Sequence, residues 1–238
     1  MREKLHALAT ALIVPIVYMV IQIFIVLIFD NDQYNMLVAD LAGLLLAILL
    51  IRREPEQSRA DLPRRLDGSS VVLLLVCGVA LSVLISYILS LMPFPDSVLE
   101  DYEQFEQMLD QLTPWMHIVV VCLVTPLVEE LLFRGVCYRS LRRAFSARAA
   151  IVMQALLFAV FHFRLYQIAG VFPAAIVLGL VYEWSGSLIA PIILHVSFNS
   201  AGIILALTPG IPDTWYLPLS IIGTAATISS LYKRRNNA

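Results

Sequence analysis

Ala7–Phe29 runs without one charged side chain, and apolar stretches of this kind recur to the end of the chain. A helix needs about 20 such residues to cross the ~30 Å hydrocarbon core of a bilayer. Further runs fall at about Met36–Ile51, Val71–Met92, from Trp115 onward, Ala147–Phe163, Tyr166–Tyr182, Leu188–Leu207 and Trp215–Tyr232. The class this predicts is all-α: a polytopic transmembrane helix bundle of about eight spans, in one membrane domain over residues 1–238. The N-terminus begins like a signal peptide, but its apolar run is too long and lacks a small-residue cleavage site, so it reads as an uncleaved first span.

The connections fix the orientation. Arg2 and Lys4, the loop RREPEQSRADLPRRLDGSS with five arginines, the basic stretch Arg139–Arg148 and the C-terminal KRR all fall on one side of an eight-span chain. Loops on the other side are acidic or neutral apart from Arg164. That asymmetry predicts cytoplasmic termini; in a bacterial host the membrane is the inner one. Asp96–Leu112 breaks the pattern, with Val98, Leu99, Tyr102, Phe105, Leu109 and Leu112 at helical spacing among six acidic residues. It predicts an amphipathic surface helix that packs on the bundle.

Only 14% of residues are charged against 60% hydrophobic, with a net charge of -2 and a mean hydropathy of +0.83. Basic residues sit at the ends of apolar runs rather than along a polar face, so nucleic acid is not an expected partner; the lipid bilayer is. Cys77, Cys122 and Cys137 lie in apolar segments with no C-x-x-C spacing and read as buried small hydrophobes.

Against this background TPLVEELLFR (125–134) stands out, with Glu129, Glu130 and Arg134 inside an apolar run from Trp115 to Val136. A charge at the bilayer centre costs about 2.5–3.5 kcal/mol on insertion scales, so such a cluster marks a functional site with buried partners. Asp40, near the start of the second run, is expected at the headgroup interface, as is Glu183 at the end of the sixth. Pro126 removes a backbone hydrogen bond and predicts a local opening of the fourth span. Glu130 and Arg134, at i,i+4, are expected to neutralise each other. That leaves Glu129 to do chemistry.

Two further polar motifs lie on apolar spans: FAVFH, with Phe158 and His162 one turn apart, and HVSFN, with His195 and Asn199 on one helical face. From a turn at Phe145–Ala147, Glu129 lies 16 residues back and His162 15 residues on. At about 1.5 Å per residue the two are level. His195 and Asn199 come early in their span, so that helix must tilt or start outside the membrane to join them. A carboxylate and an imidazole can together deprotonate water, and an imidazole with a carboxamide can donate to an oxyanion. The same Glu129, His162 and His195 also match the ligand types of a catalytic zinc site, although H-E-x-x-H is absent. Either way the chemistry is acyl-bond hydrolysis. Ser197 lacks a G-x-S-x-G context, and His6 and His117, near span ends, read as ordinary packing residues.

EELLFR (129–134), FAVFH (158–162) and HVSFN (195–199), with GLVYEWSGS (179–187) between the last two, resemble the CAAX-protease and bacteriocin-processing family of intramembrane endopeptidases. That family includes the type II CAAX prenyl endopeptidases. The resemblance covers about residues 114–207, the expected catalytic core. It implies an eight-helix endopeptidase in which Glu129 and His162 activate water and His195 and Asn199 form the oxyanion hole. Glu130, Arg134 and Phe158 would support them. The family is described both as metalloproteases and as metal-free glutamate enzymes, so zinc is an implied but undecided cofactor. Implied substrates are membrane-associated proteins or peptides, from prenylated C-termini to bacteriocin precursors with leader peptides. The alternative is a non-catalytic scaffold or bacteriocin-immunity-type protein. A proton-carrying transporter has less support, because paired discontinuous helices are absent.

Overall fold

A computed structural model describes residues 2–29, 32–53, 66–206 and 213–236, and all regular structure among them is helical. The helices are α1 (Arg2–Ile28), α2 (Asp32–Arg53), α3 (Gly68–Ser90), α4 (Asp96–Asp110), α5 (Pro114–Ala144), α6 (Ala147–Val160), α7 (Leu165–Ser185), α8 (Ile189–Asn199, continued after Ser200 by Ala201–Ala206) and α9 (Asp213–Asn236). Five of them, α1, α2, α3, α5 and α7, are long and apolar enough to cross a membrane, and Ala147–Val160, Ile189–Asn199 and Leu217–Ser230 are shorter apolar helices. This is the all-α polytopic bundle read from the sequence, and the protein is an integral membrane protein. Most of the arginine-rich loop and the turn at Pro209–Pro212 lie outside the described residues, as do the side chains of Arg234 and Arg235.

Local chemistry sets the boundaries. Asp67 caps α3 by accepting from the Ser70 N–H at 2.8 Å, and Ser146 caps α6 through the Ala149 N–H, each satisfying an orphan donor of the first turn. Gly186 ends α7 at φ 61°, the left-handed position a residue with a Cβ adopts at a cost. Two boundaries differ from the sequence reading. The fifth span stops at Val160, so His162 occupies the turn beyond α6 rather than the helix. The seventh is interrupted at Ser200 and resumes over Ala201–Ala206, while Leu207 lies outside the described residues.

One buried cluster joins α1, α2, α5, α6 and α7 through residues such as Tyr18, Val128, Leu132, Phe133, Phe158 and Tyr182. A second joins α3, α7 and α8 through Leu74, Leu81, Leu178 and Leu194. The first includes the Val128, Leu132 and Phe133 side chains of α5. Close approach of α3 to α8 depends on Gly78, where a Cβ would fall 2.5 Å from the Leu194 carbonyl oxygen and 2.8 Å from the Phe198 nitrogen. Both obstacles are backbone, so even alanine must push the helices apart. Gly78→Ala is expected to destabilise the bundle by about 1–3 kcal/mol, read as a lower unfolding midpoint in detergent.

Amphipathic α4 packs on the start of α7 as expected. Tyr102 stacks on Tyr166 with ring centroids 4.3 Å apart, and Arg164 lies over the Phe105 ring at 4.5 Å while pairing with Asp101 at 3.6 Å.

Candidate active site

Helix α5 is irregular where its charges are. Residues His117–Val124 and Phe133–Tyr138 are π-helical, and the regular stretch Thr125–Leu132 between them carries both glutamates. Such π segments concentrate at functional sites. Pro126 produces the opening expected of it. The Thr125 N–H reaches back five residues to the Val120 carbonyl, and in that register the next donor would be Pro126, which has no N–H. The Val121 carbonyl instead accepts from Asn199 Nδ2 at 2.9 Å. Asn199 therefore ties α8 to the gap in α5, and keeps one amide hydrogen for another acceptor.

The two glutamates share His195. Glu130 Oε1 accepts from Arg134 at 2.8 Å and lies 2.8 Å from His195 Nδ1; Glu129 Oε2 lies 3.7 Å from His195 Nε2. Glu130 and Arg134 are fully buried and His195 nearly so. Arg134 also donates to the Ala175 carbonyl of α7 at 3.1 Å and places its guanidinium 4.8 Å from the Phe158 ring. The expected Glu130–Arg134 pair is present. Their charges neutralise each other, and Glu130 at the same time orients an imidazole from another helix. Glu130 Oε1, which accepts from Arg134, is also the acceptor for His195, so Nδ1 of that ring carries the proton and Nε2 faces Glu129.

His162 is held differently. Its Nδ1 lies 2.8 Å from the Phe158 carbonyl; a carbonyl can only accept, so Nδ1 donates and the neutral ring keeps a lone pair on Nε2. Phe158 touches both histidine rings edge-on, at centroid distances of 4.9 Å to His162 and 6.0 Å to His195, and packs on Phe133 at 4.7 Å. Glu129 and His162 line one pocket together with Phe133, Phe158, Phe161, Phe163 and, from α1, Pro15, Tyr18, Met19 and Gln22. Phe163, immediately after His162, is the one described non-glycine residue with positive φ, 61°; that conformation turns the chain sharply at the pocket mouth.

Thus Glu129, Glu130, Arg134, Phe158 and His195 are linked contact by contact, with His162 on the same pocket as Glu129 and Asn199 bonded to the preceding segment of α5 at Val121. Short α8 reaches the glutamates despite its early placement of His195. Ser197 turns the other way, donating to the Leu75 carbonyl of α3 at 2.6 Å. Glu183 receives the Tyr138 hydroxyl at 2.7 Å and lies 3.5 Å from Arg142, at the basic end of the bundle. A zinc site would need three donors converging at about 2.0–2.2 Å. Among the described residues no three His, Cys, Asp or Glu side chains group closely enough to hold a metal ion. The set Glu129, His162 and His195 does not fit a metal ion in this arrangement.

The sequence reading placed Asp40 at the headgroup interface. It is 2% exposed and lies inside the bundle, accepting hydrogen bonds from the Tyr18 and Thr125 hydroxyls. The signal that finds Glu129, an acid inside an apolar run, applies to Asp40 as well. Tyr18 and the rest of the α1 wall carry no comparable mark.

No curated protein and no solved structure matches the chain. Residues 111–201 match the family model described as Type II CAAX prenyl endopeptidase Rce1-like. That stretch runs from the end of α4 through the linked cluster to just past Asn199, so the part of the chain that builds this site is the part similar to the type II CAAX prenyl endopeptidase Rce1-like family.

Proposed function

We propose that this protein is an intramembrane endopeptidase of the glutamate type, cutting a peptide bond of a membrane-associated protein or peptide. The observation that carries this reading is the shared pocket of Glu129 and His162. A water between them is deprotonated by the Glu129 carboxylate, assisted by Nε2 of His162, and attacks the scissile carbonyl. The oxyanion is met by the remaining Asn199 amide hydrogen and by His195 when its ring enters the cycle protonated on both nitrogens, Glu130 holding Nδ1 and the Nε2 proton staying on the ring throughout. Protonated Glu129 then passes the proton to the leaving amine nitrogen, and the acyl–nitrogen bond breaks. Glu130, Arg134 and Phe158 hold the histidines in place.

The pocket's four phenylalanines, with Pro15 and Met19, favour substrates that present an apolar group, whether an apolar residue or a prenyl cysteine. Orientation follows from the basic ends. Lys4 lies over the Phe145 ring at 5.7 Å, which puts the start of α1 beside the α5–α6 turn at one end of the bundle; this supports cytoplasmic termini under the positive-inside rule.

The test is cleavage of internally quenched peptides, with and without a C-terminal prenyl cysteine, by the purified chain in liposomes. Wild type is expected to cut and His162→Ala to lose about 100-fold or more in rate, with a chelator changing neither. Equal rates for the two proteins would overturn the assignment and favour the scaffold alternative; loss of activity on chelation would return a metal to the mechanism.

A further inference from the structure

We propose that Asp40 is a positioning residue of the site: from α2 it holds Thr125 and Tyr18, setting the direction of Glu129 and closing α1 onto the pocket. The inference rests on the hydrolytic role proposed for Glu129. Asp40 lies outside residues 111–201, the segment that matches the family. A carboxylate buried this deeply is costly unless it is well bonded, and both of its oxygens are used, one on the Tyr18 hydroxyl and the other on Thr125 Oγ1.

Thr125 stands one turn before Glu129, on the same helical face. It is also the first residue of the regular segment, directly after a π-helical stretch whose last hydrogen bond spans five residues. A helix can rotate about its axis at such a change of register, so the turn needs an external hold. Asp40 supplies one at Thr125, and Asn199 supplies another at Val121.

Tyr18 is gripped from the same helix. Gly43, one turn after Asp40, has no side chain where Tyr18 sits; a Cβ there would lie 2.4 Å from the ring and 2.9 Å from Val128 Cγ1. Asp40 thus fixes the hydroxyl and Gly43 seats the ring. Tyr18 is the centre of the α1 wall, between Pro15, Met19 and Gln22, that faces Glu129 across the pocket.

The experiment compares initial rates on a pool of internally quenched peptides with randomised cores, with and without a C-terminal prenyl cysteine, using the full chain in liposomes. The variants are Asp40→Ala, Asp40→Asn, Thr125→Val, the double variant Asp40→Ala/Thr125→Val, and Glu129→Ala, each with its unfolding midpoint. Asp40→Ala is expected to lose about 100-fold, the scale of a small misplacement of a catalytic group. Asp40→Asn keeps a carbonyl oxygen for Thr125 and is expected to stay within about tenfold of wild type. Thr125→Val, which leaves the Tyr18 contact in place, should be slowed but no more than Asp40→Ala, and the double variant should be no slower than Asp40→Ala, because Asp40 reaches Thr125 through that one contact. Multiplying losses, an asparagine no better than alanine, or a wild-type rate for Asp40→Ala would overturn the proposal. Should Asp40→Ala fail to fold, Thr125→Val decides alone: slow with an unchanged midpoint supports it, and a wild-type rate overturns it. Wild-type activity in Glu129→Ala would instead refute the hydrolytic role and leave the Asp40 contact merely structural.

Discussion

Glu129→Ala is expected to abolish peptide cleavage while leaving the protein inserted and folded. Its carboxylate lines the pocket and its side chain keeps 16% exposure, and the nearest cation-capable atom, His195 Nε2, is 3.7 Å away, beyond hydrogen-bond distance. Truncation therefore strands no buried partner. What it removes is the group that takes the proton from water, an effect of about 10²–10⁴-fold, or about 3–5 kcal/mol of barrier. Initial rates and unfolding midpoints measured side by side check this: the rate should fall and the midpoint should stay. A midpoint that collapses with the rate would mean Glu129 is structural.

Arg134→Ala is expected to do the opposite. Arg134 is fully buried and holds the Glu130 carboxylate, the Ala175 carbonyl and the face of Phe158. Without it Glu130 is an unpaired charge in the core, a loss of about 3–5 kcal/mol, corresponding to a midpoint lower by about 10 °C for a chain of this length. Lysine should not rescue it, because a single ammonium cannot reach both oxygens that the guanidinium fork reaches. Thermal unfolding in detergent of wild type, Arg134→Ala and Arg134→Lys checks the sign and size. A stable Arg134→Ala would mean that the Glu130–His195 contact holds the site without its cation.

The contrast between these two variants shows what could be read from residues alone. Periodicity and run length sufficed for the helices, because a bilayer leaves the backbone no other way to satisfy its polar groups. The charged cluster and both histidine motifs were legible for the same energetic reason: polar side chains in apolar spans need partners. Adjacent glutamates on a helix point about 100° apart, which suggested separate fates for Glu129 and Glu130. The structure shows one imidazole reaching both, a side-chain span that spacing within a single helix does not reveal. His162 lay beyond the helix end because Phe163 turns the chain there, and nothing in FAVFH marks that turn. Tyr18 and Gly43 were silent because their role exists only where α1, α2 and α5 meet. Asp40 was visible as a charge, and was misplaced because its depth was judged from sequence position rather than from the hydroxyls that surround it.

The most direct test of the central claim, that Glu129 drives peptide hydrolysis in the membrane, is a comparison of peptide termini in cells carrying wild type or Glu129→Gln. Glutamine preserves the shape of the side chain and removes its basicity. Mass spectrometry of membrane-associated peptides and precursors is predicted to show a set that is cut in wild-type cells and accumulates uncut with Glu129→Gln. Identical termini in the two cell populations, at equal protein levels, would contradict the account.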